Sequence, residues 1–156
     1  MDSMSETGNG VVIDHNALID LIRTTTAEGA PISFRARGSS MLPFIEDNDL
    51  LTVSPADPTA LRRGDILAFV DPQTGGLAVH RYIGKAGDDF IMKGDNRYGT
   101  DGHVPVGCLL GRVTCVKRGG KAANFSLGPA RYLIALLSGA GFLVRLVGLA
   151  RLFCRL

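Results

Sequence analysis

Residues 66–92 read ILAFVDPQTGGLAVHRYIGKAGDDFIM and contain three short apolar runs that are separated by turn-forming residues. The runs cover residues 66–70, 77–83 and 90–92, and the gaps between them hold Asp-Pro, Gly-Gly and Gly-Asp pairs. β-Branched and aromatic residues favour extended backbone, whereas Gly, Pro and Asp favour turns. The stretch therefore predicts consecutive antiparallel strands that are joined by short turns.

Further runs of the same kind flank this stretch. They occupy residues 32–37, 50–53 and 109–116, and each is bounded by Gly, Pro, Asp or Asn. Many short strands at this spacing are typical of a small antiparallel barrel or folded sheet. We therefore expect a mainly β fold, a small folded-sheet or barrel domain over residues 31–120.

A short amphipathic helix is predicted before the first strand, within an N-terminal segment of residues 1–30. The apolar side chains that form its stripe at helical spacing are Leu18, Ile19, Leu21 and Ile22. Asp14 or Asn16 is the expected N-cap, and Gly29 is expected to end the helix.

The composition is that of one compact globular domain with short appendages. The chain has 156 residues, of which 46% are hydrophobic and 21% are charged, and this length excludes two full domains. The three cysteines, Cys108, Cys115 and Cys154, form neither a C-x-x-C pair nor a His-flanked metal pattern. We therefore expect reduced thiols and no metal site.

Charge divides the chain into two unlike parts. Residues 1–101 hold nine basic residues and all fifteen acidic ones, whereas residues 102–156 hold eight basic residues and no acid. A basic, apolar segment without acids fits an anionic membrane surface better than nucleic acid, because phosphate-binding patches are usually polar between their charges. The second part of the chain is therefore expected to have a different partner from the first.

Residues 121–156 form a basic, apolar helical tail that contains a stretch about as long as a membrane span. Arg145 opposes insertion by about 2.5 to 3.5 kcal/mol, so spanning is borderline. From about Pro129 onward, we expect the tail to lie on the membrane surface and not to complete the core. The alternative is a buried helix pair, broken at Gly139 and Gly141.

Because the first dozen residues lack Lys and Arg, no cleavable export signal is expected at the N-terminus. We therefore expect a membrane-associated protein on the cytoplasmic face.

Four polar residues, at three places in the sequence, are candidates for chemistry. Ser40 follows Gly38 at a strand-to-turn corner, where a sharp backbone turn would project its hydroxyl into a groove. His80 lies in a predicted strand, and Asp95 and Asp101 fall in one polar loop whose carboxylates could orient an imidazole. Each group also has a simpler interpretation, because Gly-Ser turns, structural histidines and Asx turns are all common.

These residues belong to an ordered series of short motifs. The series is Gly-x-Ser-Met-x-Pro at 38–43, Asn-Asp at 48–49, Arg-Gly-Asp-Ile at 63–66, Val-His-Arg at 79–81, Lys-Gly-Asp-Asn at 93–96 and Gly-Arg-Val at 111–113. In this order it resembles the signal peptidase I and LexA-like serine peptidase superfamily over about residues 31–118. Within that superfamily, bacterial signal peptidases and self-cleaving repressors use a Ser/Lys dyad, whereas the endoplasmic reticulum, archaeal and sporulation-type signal peptidases have His in place of Lys. This sequence has the His.

The resemblance implies a serine endopeptidase of the signal peptidase type that needs no cofactor and cleaves an extended peptide or protein. It assigns Ser40 as the nucleophile, His80 as the general base, and Asp101 or Asp95 as the carboxylate that orients the imidazole. Such a base takes the serine proton and returns it to the leaving amine, and the backbone N–H of Ser40 would be the first oxyanion donor. We expect Asp101 to hold the imidazole and Asp95 to bond to its own backbone, because Gly-Asp-Asn is a strong turn former.

The sequence departs from the superfamily pattern in several places. Gly38 stands where many signal peptidases carry a Ser that donates to the oxyanion, and Asn48 replaces the usual Gly before Asp49. Asn tolerates positive φ, so the second change should leave the fold intact. Neither a transmembrane anchor nor a helix-turn-helix is expected before the domain, which disfavours a DNA-binding regulator. The main alternative is a catalytically silent or self-limited relative that binds a peptide or partner in the same groove.

Overall fold

The computed structural model describes residues 14–141 and 143–145, in which eight strands form one curled antiparallel sheet, a half-barrel. The helices are α1 (His15–Ala27) and α2 (Arg131–Gly139), and the strands are β1 (Ile32–Arg35), β2 (Leu50–Ser54), β3 (Ile66–Val70), β4 (Leu77–Ala86), β5 (Asp89–Lys93), β6 (His103–Val104), β7 (Leu109–Arg118) and β8 (Lys121–Ala122). Short 3₁₀ turns lie at Val106–Cys108 and Asn124–Leu127. The strand order is β1-β2-β7-β3-β4-β5-β6, and β8 pairs with β7. The fold is therefore mainly β with an N-terminal helix, which is consistent with a small β peptidase domain.

The central strand β3 is buried on both faces. Ile66 and Ala68 belong to the apolar cluster that includes the buried face of α1. Leu67 and Phe69 belong to a second cluster on the other face of the sheet, together with side chains of β4 and β5. Period-2 alternation in a strand that is covered on both sides explains why the run is continuously apolar.

The helix α1 forms close to its predicted bounds. Asp14 is its N-cap and accepts a hydrogen bond from the backbone N–H of His15 at 2.8 Å. Ile19 and Ile22 are buried, but Leu21 is 45% exposed, so the prediction that it belongs to the buried stripe is wrong. Leu21 lies on the margin of the stripe, about 100° from Ile22 around the helix axis.

The strands β6 and β8 are not predicted by the sequence pattern. Each has two residues, and runs of two residues carry no periodic signal. Both are extended because they form backbone ladders with longer strands: β6 pairs with β5 and β8 pairs with β7. They extend strands that the apolar pattern does predict.

The helix α2 is part of the predicted tail, and it packs on the sheet. Ile134 and Ser138 are buried, and a Cβ at Gly64 would lie 2.5 Å from the carbonyl oxygen of Arg131. The expectation that the chain from about Pro129 onward does not complete the core is therefore wrong for α2. Its inner face is covered by β4 and by the Asn124–Leu127 turn.

Within residues 14–141 and 143–145, no helix combines the length and apolarity that a membrane crossing requires. Cys108 and Cys115 are free thiols. The predictions for the rest of the tail, including Cys154, and for the first 13 residues concern positions outside the described part of the chain.

Candidate active site

Ser40 lies in the turn that follows β1, and Gly38 makes this turn possible. Gly38 has a φ of +92°, a left-handed conformation that residues with a side chain rarely adopt. Its N–H donates to the Asp47 carboxylate at 2.8 Å, and the N–H of Ile45 donates to the carbonyl of Met41 at 3.0 Å. Met41 and Ile45 are buried, so the turn is anchored in the core next to Ser40.

His80 lies on β4, opposite Leu67 of β3, and is only 5% exposed. Its ring contacts the Phe69 ring edge-on, with 6.0 Å between the centroids. Nε2 of His80 lies 2.9 Å from Oγ of Ser40, and Nδ1 lies 2.5 Å from Oδ2 of Asp101. The structure thus brings three of the four predicted site residues into one hydrogen-bonded chain.

The carboxylate determines the direction of these hydrogen bonds. An ionised carboxylate can only accept, so Nδ1 of His80 donates to Asp101 and the lone pair of the neutral ring is on Nε2. Nε2 then accepts the hydroxyl proton of Ser40. This is the tautomer that a general base next to a serine requires.

Asp101 is held in place from both sides of its carboxylate. Nη1 of Arg97 donates to Oδ1 at 3.1 Å, while His80 donates to Oδ2. The backbone N–H of Asp101 donates to the carbonyl of Met92 at 2.9 Å, and the amide of Gln73 donates to the carbonyl of Asp101 at 3.4 Å. The side chain of Asp101 is only 6% exposed, but that of Arg97 is 57% exposed, so water weakens the ion pair with Arg97 more than the contact with His80.

Asp95, the fourth predicted site residue, pairs with Arg81. Nε of Arg81 donates to Oδ1 at 2.9 Å, Nη2 donates to Oδ2 at 2.7 Å, and both side chains are fully buried. The expectation that Asp95 bonds to its own backbone is therefore wrong. Alternation along β4 places Arg81 on the sheet face opposite His80, and a guanidinium buried there requires an anion.

The loop after β5 contacts the turn that carries Ser40 through Gly94 and Asn96, for which the sequence pattern predicts no role. The backbone N–H of Asn96 donates to the carbonyl of Ser40 at 2.7 Å, and its side-chain amide donates to the carbonyl of Ser39 at 3.0 Å. Gly94 permits this approach, since a Cβ there would lie 2.8 Å from the Ser40 carbonyl. Both residues belong to the Lys-Gly-Asp-Asn motif, but contact between two distant loops leaves no periodic signal.

Lys93, the last residue of β5, is a buried cation next to that loop, and the sequence pattern does not predict its position. It is 1% exposed, and Nζ donates to the carbonyls of Arg97 at 2.5 Å and of Gly94 at 3.4 Å. Burial lowers the pKa of the Lys93 ammonium, although the charges of Asp95 and Asp101 act to raise it. Lys93 thus bonds to the backbone on either side of Asn96, in the loop that also carries Asp101.

Arg118 bonds to the segment that follows the turn carrying Ser40. It donates to Asp49 at 2.8 Å and to Glu46 at 2.6 Å. Burial acts to raise the pKa of Asp49, but the hydrogen bonds from Arg118 and from the Glu46 N–H outweigh it and lower that pKa. Asn48, just before Asp49, has a φ of +72°, which confirms that Asn replaces Gly there without loss of the turn.

Two strand edges near Ser40 are unpaired within the described part of the chain. β1 pairs only with β2. Residues 77–80 of β4 pair only with β3, because β5 joins β4 from Arg81 onward. Unpaired backbone edges accept an additional strand. His80 therefore lies at one end of an open edge of the sheet.

The chain is similar to Signal peptidase I U of Bacillus subtilis (strain 168), with 37% identity over 73 residues. The aligned segment is 46% of this chain and 39% of that protein, so the chain spans well under half of its relative. No protein-family model matches the chain, and no solved structure matches it at a significant level. The similarity suggests a relationship to signal peptidases and a peptidase-like function.

Proposed function

We propose that the chain is a serine endopeptidase of the signal peptidase type. Ser40 is the nucleophile, His80 is the general base, and Asp101 orients the imidazole and stabilises its protonated form. The observation that carries the proposal is the hydrogen-bonded chain from Ser40 through both nitrogens of His80 to Asp101. The similarity to Signal peptidase I U supports the same class of reaction.

The reaction follows from this geometry in two halves. Oγ of Ser40 bonds to the scissile carbonyl carbon while its proton passes to Nε2 of His80, and the backbone N–H of Ser40 donates to the developing oxyanion. Collapse of that adduct breaks the C–N bond, and His80 returns the proton to the leaving amine. Water, deprotonated by His80, then cleaves the acyl ester and restores Ser40. Asp101 stays ionised throughout.

The substrate is an extended peptide that adds to the open edge of β4. Its backbone would form ladder hydrogen bonds with β4 next to His80, beginning at Val79, and its alternate side chains would determine selectivity. In this arrangement a peptide carbonyl would lie beside Ser40.

The experiment is digestion of a proteome-derived peptide library, with the new termini read by mass spectrometry. The wild-type chain is compared with Ser40→Ala and with the matched variant Ser39→Ala. We expect cut peptides with the wild type and Ser39→Ala and none with Ser40→Ala. Termini that also form with Ser40→Ala contradict the proposal, and saturable peptide binding without any cleavage would favour the silent peptide-binding relative.

Asp101→Asn tests the role of the carboxylate. We expect a loss in kcat of about 10²- to 10⁴-fold, because the amide no longer selects the tautomer with the proton on Nδ1. The melting temperature should change little, since Asn keeps the size of the side chain and the hydrogen bond to Arg97. Steady-state kinetics on a peptide from the library, together with a thermal melt, separate the two effects. A loss in kcat that simply follows a loss of folded protein would contradict this role.

We also propose that the outer face of α2 contacts an anionic membrane surface. Tyr132, Leu133 and Leu136 on this face are 47%, 61% and 71% exposed. The part of the chain from residue 102 onward holds eight basic residues and no acid. Apolar side chains at the interface and attraction to anionic lipids add to each other.

Vesicle flotation of the full-length chain tests the membrane contact. We expect the double variant Leu133→Gln/Leu136→Gln to bind anionic vesicles at least about tenfold more weakly, because two apolar side chains no longer enter the interface. Leu21→Gln, an exposed leucine of α1, is the matched control. Equal flotation of the double variant and the wild type, or equal binding to neutral vesicles, would contradict the proposal.

A further inference from the structure

His15 contacts the open edge of β4 from outside the sheet. It is the first residue of α1, and its Nε2 accepts a hydrogen bond from the backbone N–H of Leu77 at 3.2 Å. A Cβ on Gly76 would lie 3.5 Å from the same nitrogen, so the imidazole lies close against the strand. This contact links the N-terminal helix to the strand that carries His80.

The hydrogen-bonding direction of β4 shows which edge His15 covers. The carbonyl of Gly76 accepts from the N–H of Asp71, and the N–H of Tyr82 donates to the carbonyl of Asp65, both at 2.8 Å on the β3 side. Backbone groups in an antiparallel ladder alternate in direction along a strand. The even-numbered residues of β4 therefore face β3, whereas Leu77 and its odd-numbered neighbours face the open edge.

That edge is short, because it is occupied at both ends. Arg81 pairs with Lys93 of β5, and the N–H of Leu77 donates to His15. Among the described residues of the odd-numbered series, Val79 is the one that lies between these two contacts. A peptide beside His80 therefore meets the backbone of Val79 first and the imidazole of His15 next.

We propose that His15 is a specificity-determining residue that limits how far the substrate ladder extends from the active site. The proposal rests on the peptidase function and on a peptide at the β4 edge. A substrate residue in register with Leu77 gains a hydrogen bond only if the imidazole leaves that N–H. Substrate residues beyond the Val79 register therefore gain no hydrogen bond from the N–H of Leu77 in the wild type.

A truncation series measures this limit. One peptide that the wild type cuts in the library digestion is shortened one residue at a time from each end. For the wild type, kcat/KM should reach a plateau at a fixed length. For His15→Ala, the plateau should move two residues outward and rise about three- to tenfold, the gain expected from one more backbone hydrogen bond. Asn16→Ala, the exposed neighbour on α1, should behave as the wild type.

Two further readouts separate this inference from the peptidase function. The affinity of the same peptides for Ser40→Ala and for Ser40→Ala/His15→Ala should show the same two-residue shift without any chemistry. Amide hydrogen exchange at Leu77 should become faster in His15→Ala and slower again when the longest peptide is bound. Identical plateaus for wild type and His15→Ala, or exchange at Leu77 that does not change, would overturn the proposal while leaving Ser40-dependent cleavage in place. Absence of Ser40-dependent cleavage would overturn the peptidase function itself.

Discussion

Replacing Ser40 by alanine is expected to lower kcat for peptide cleavage by about 10⁶-fold, and His80→Ala should cost nearly as much. The reason is that the nucleophile and its base act as one unit. Oγ of Ser40 gains reactivity only by giving its proton to Nε2 of His80, which lies 2.9 Å away. The double variant should therefore be no slower than either single variant. Steady-state kinetics on one library peptide measure all three.

Ser39→Ala is the matched control for this series. Its carbonyl, not its hydroxyl, accepts the hydrogen bond from Asn96, so the variant keeps the contact that positions the turn. We expect its kcat to change by less than about tenfold. Losses that add up in the Ser40→Ala/His80→Ala double variant would show that the two residues act separately and would contradict the dyad.

The second large effect is on stability. Asp95→Asn is expected to lower the free energy of unfolding by about 3–5 kcal/mol, because it removes the anion that neutralises the buried guanidinium of Arg81. In a chain of this size, that loss lowers the melting temperature by about 6–20 °C. Chemical denaturation and thermal melts of the full-length variants measure the effect.

Asp88→Asn, an exposed carboxylate in the turn between β4 and β5, should change stability by no more than about 0.5 kcal/mol. The Arg81→Met/Asp95→Leu double variant should recover part of the loss, since apolar side chains of similar volume can replace a buried ion pair. Asp95→Asn with an unchanged melting temperature but abolished cleavage would exchange the roles proposed for Asp95 and Asp101.

Much of the fold follows from local sequence. The apolar runs at residues 66–70, 77–83 and 90–92 become β3, β4 and β5, because each is short and separated from the next by Gly, Pro or Asp. The N-cap Asp14 and the helix α1 are readable for similar reasons. The position of α2 is not, because the apolar face of a helix packs equally well on a sheet or on a membrane.

The candidate site shows the same division between local and long-range information. Ser40, His80 and Asp101 could be selected because motif order and residue chemistry point to them before any contact is known. The buried pair of Asp95 with Arg81 could not, because a Gly-Asp-Asn turn looks the same whether its carboxylate bonds to its own backbone or to a distant guanidinium. The contacts of Asn96 and Lys93 likewise join loops that only the folded sheet brings together.

Cleavage in the presence of hydroxylamine tests the proposed role of Ser40 most directly. If Ser40 forms an acyl ester, hydroxylamine competes with water for that ester and gives a peptide hydroxamic acid, while the serine hydroxyl is restored. With the wild type and a library peptide, we expect the new C-terminus to be a mixture of carboxylate and hydroxamate. The fraction of hydroxamate should rise with hydroxylamine concentration. Neither product should form with Ser40→Ala. Carboxylate alone at every hydroxylamine concentration, or cleavage that persists in Ser40→Ala, would contradict an acyl intermediate on Ser40.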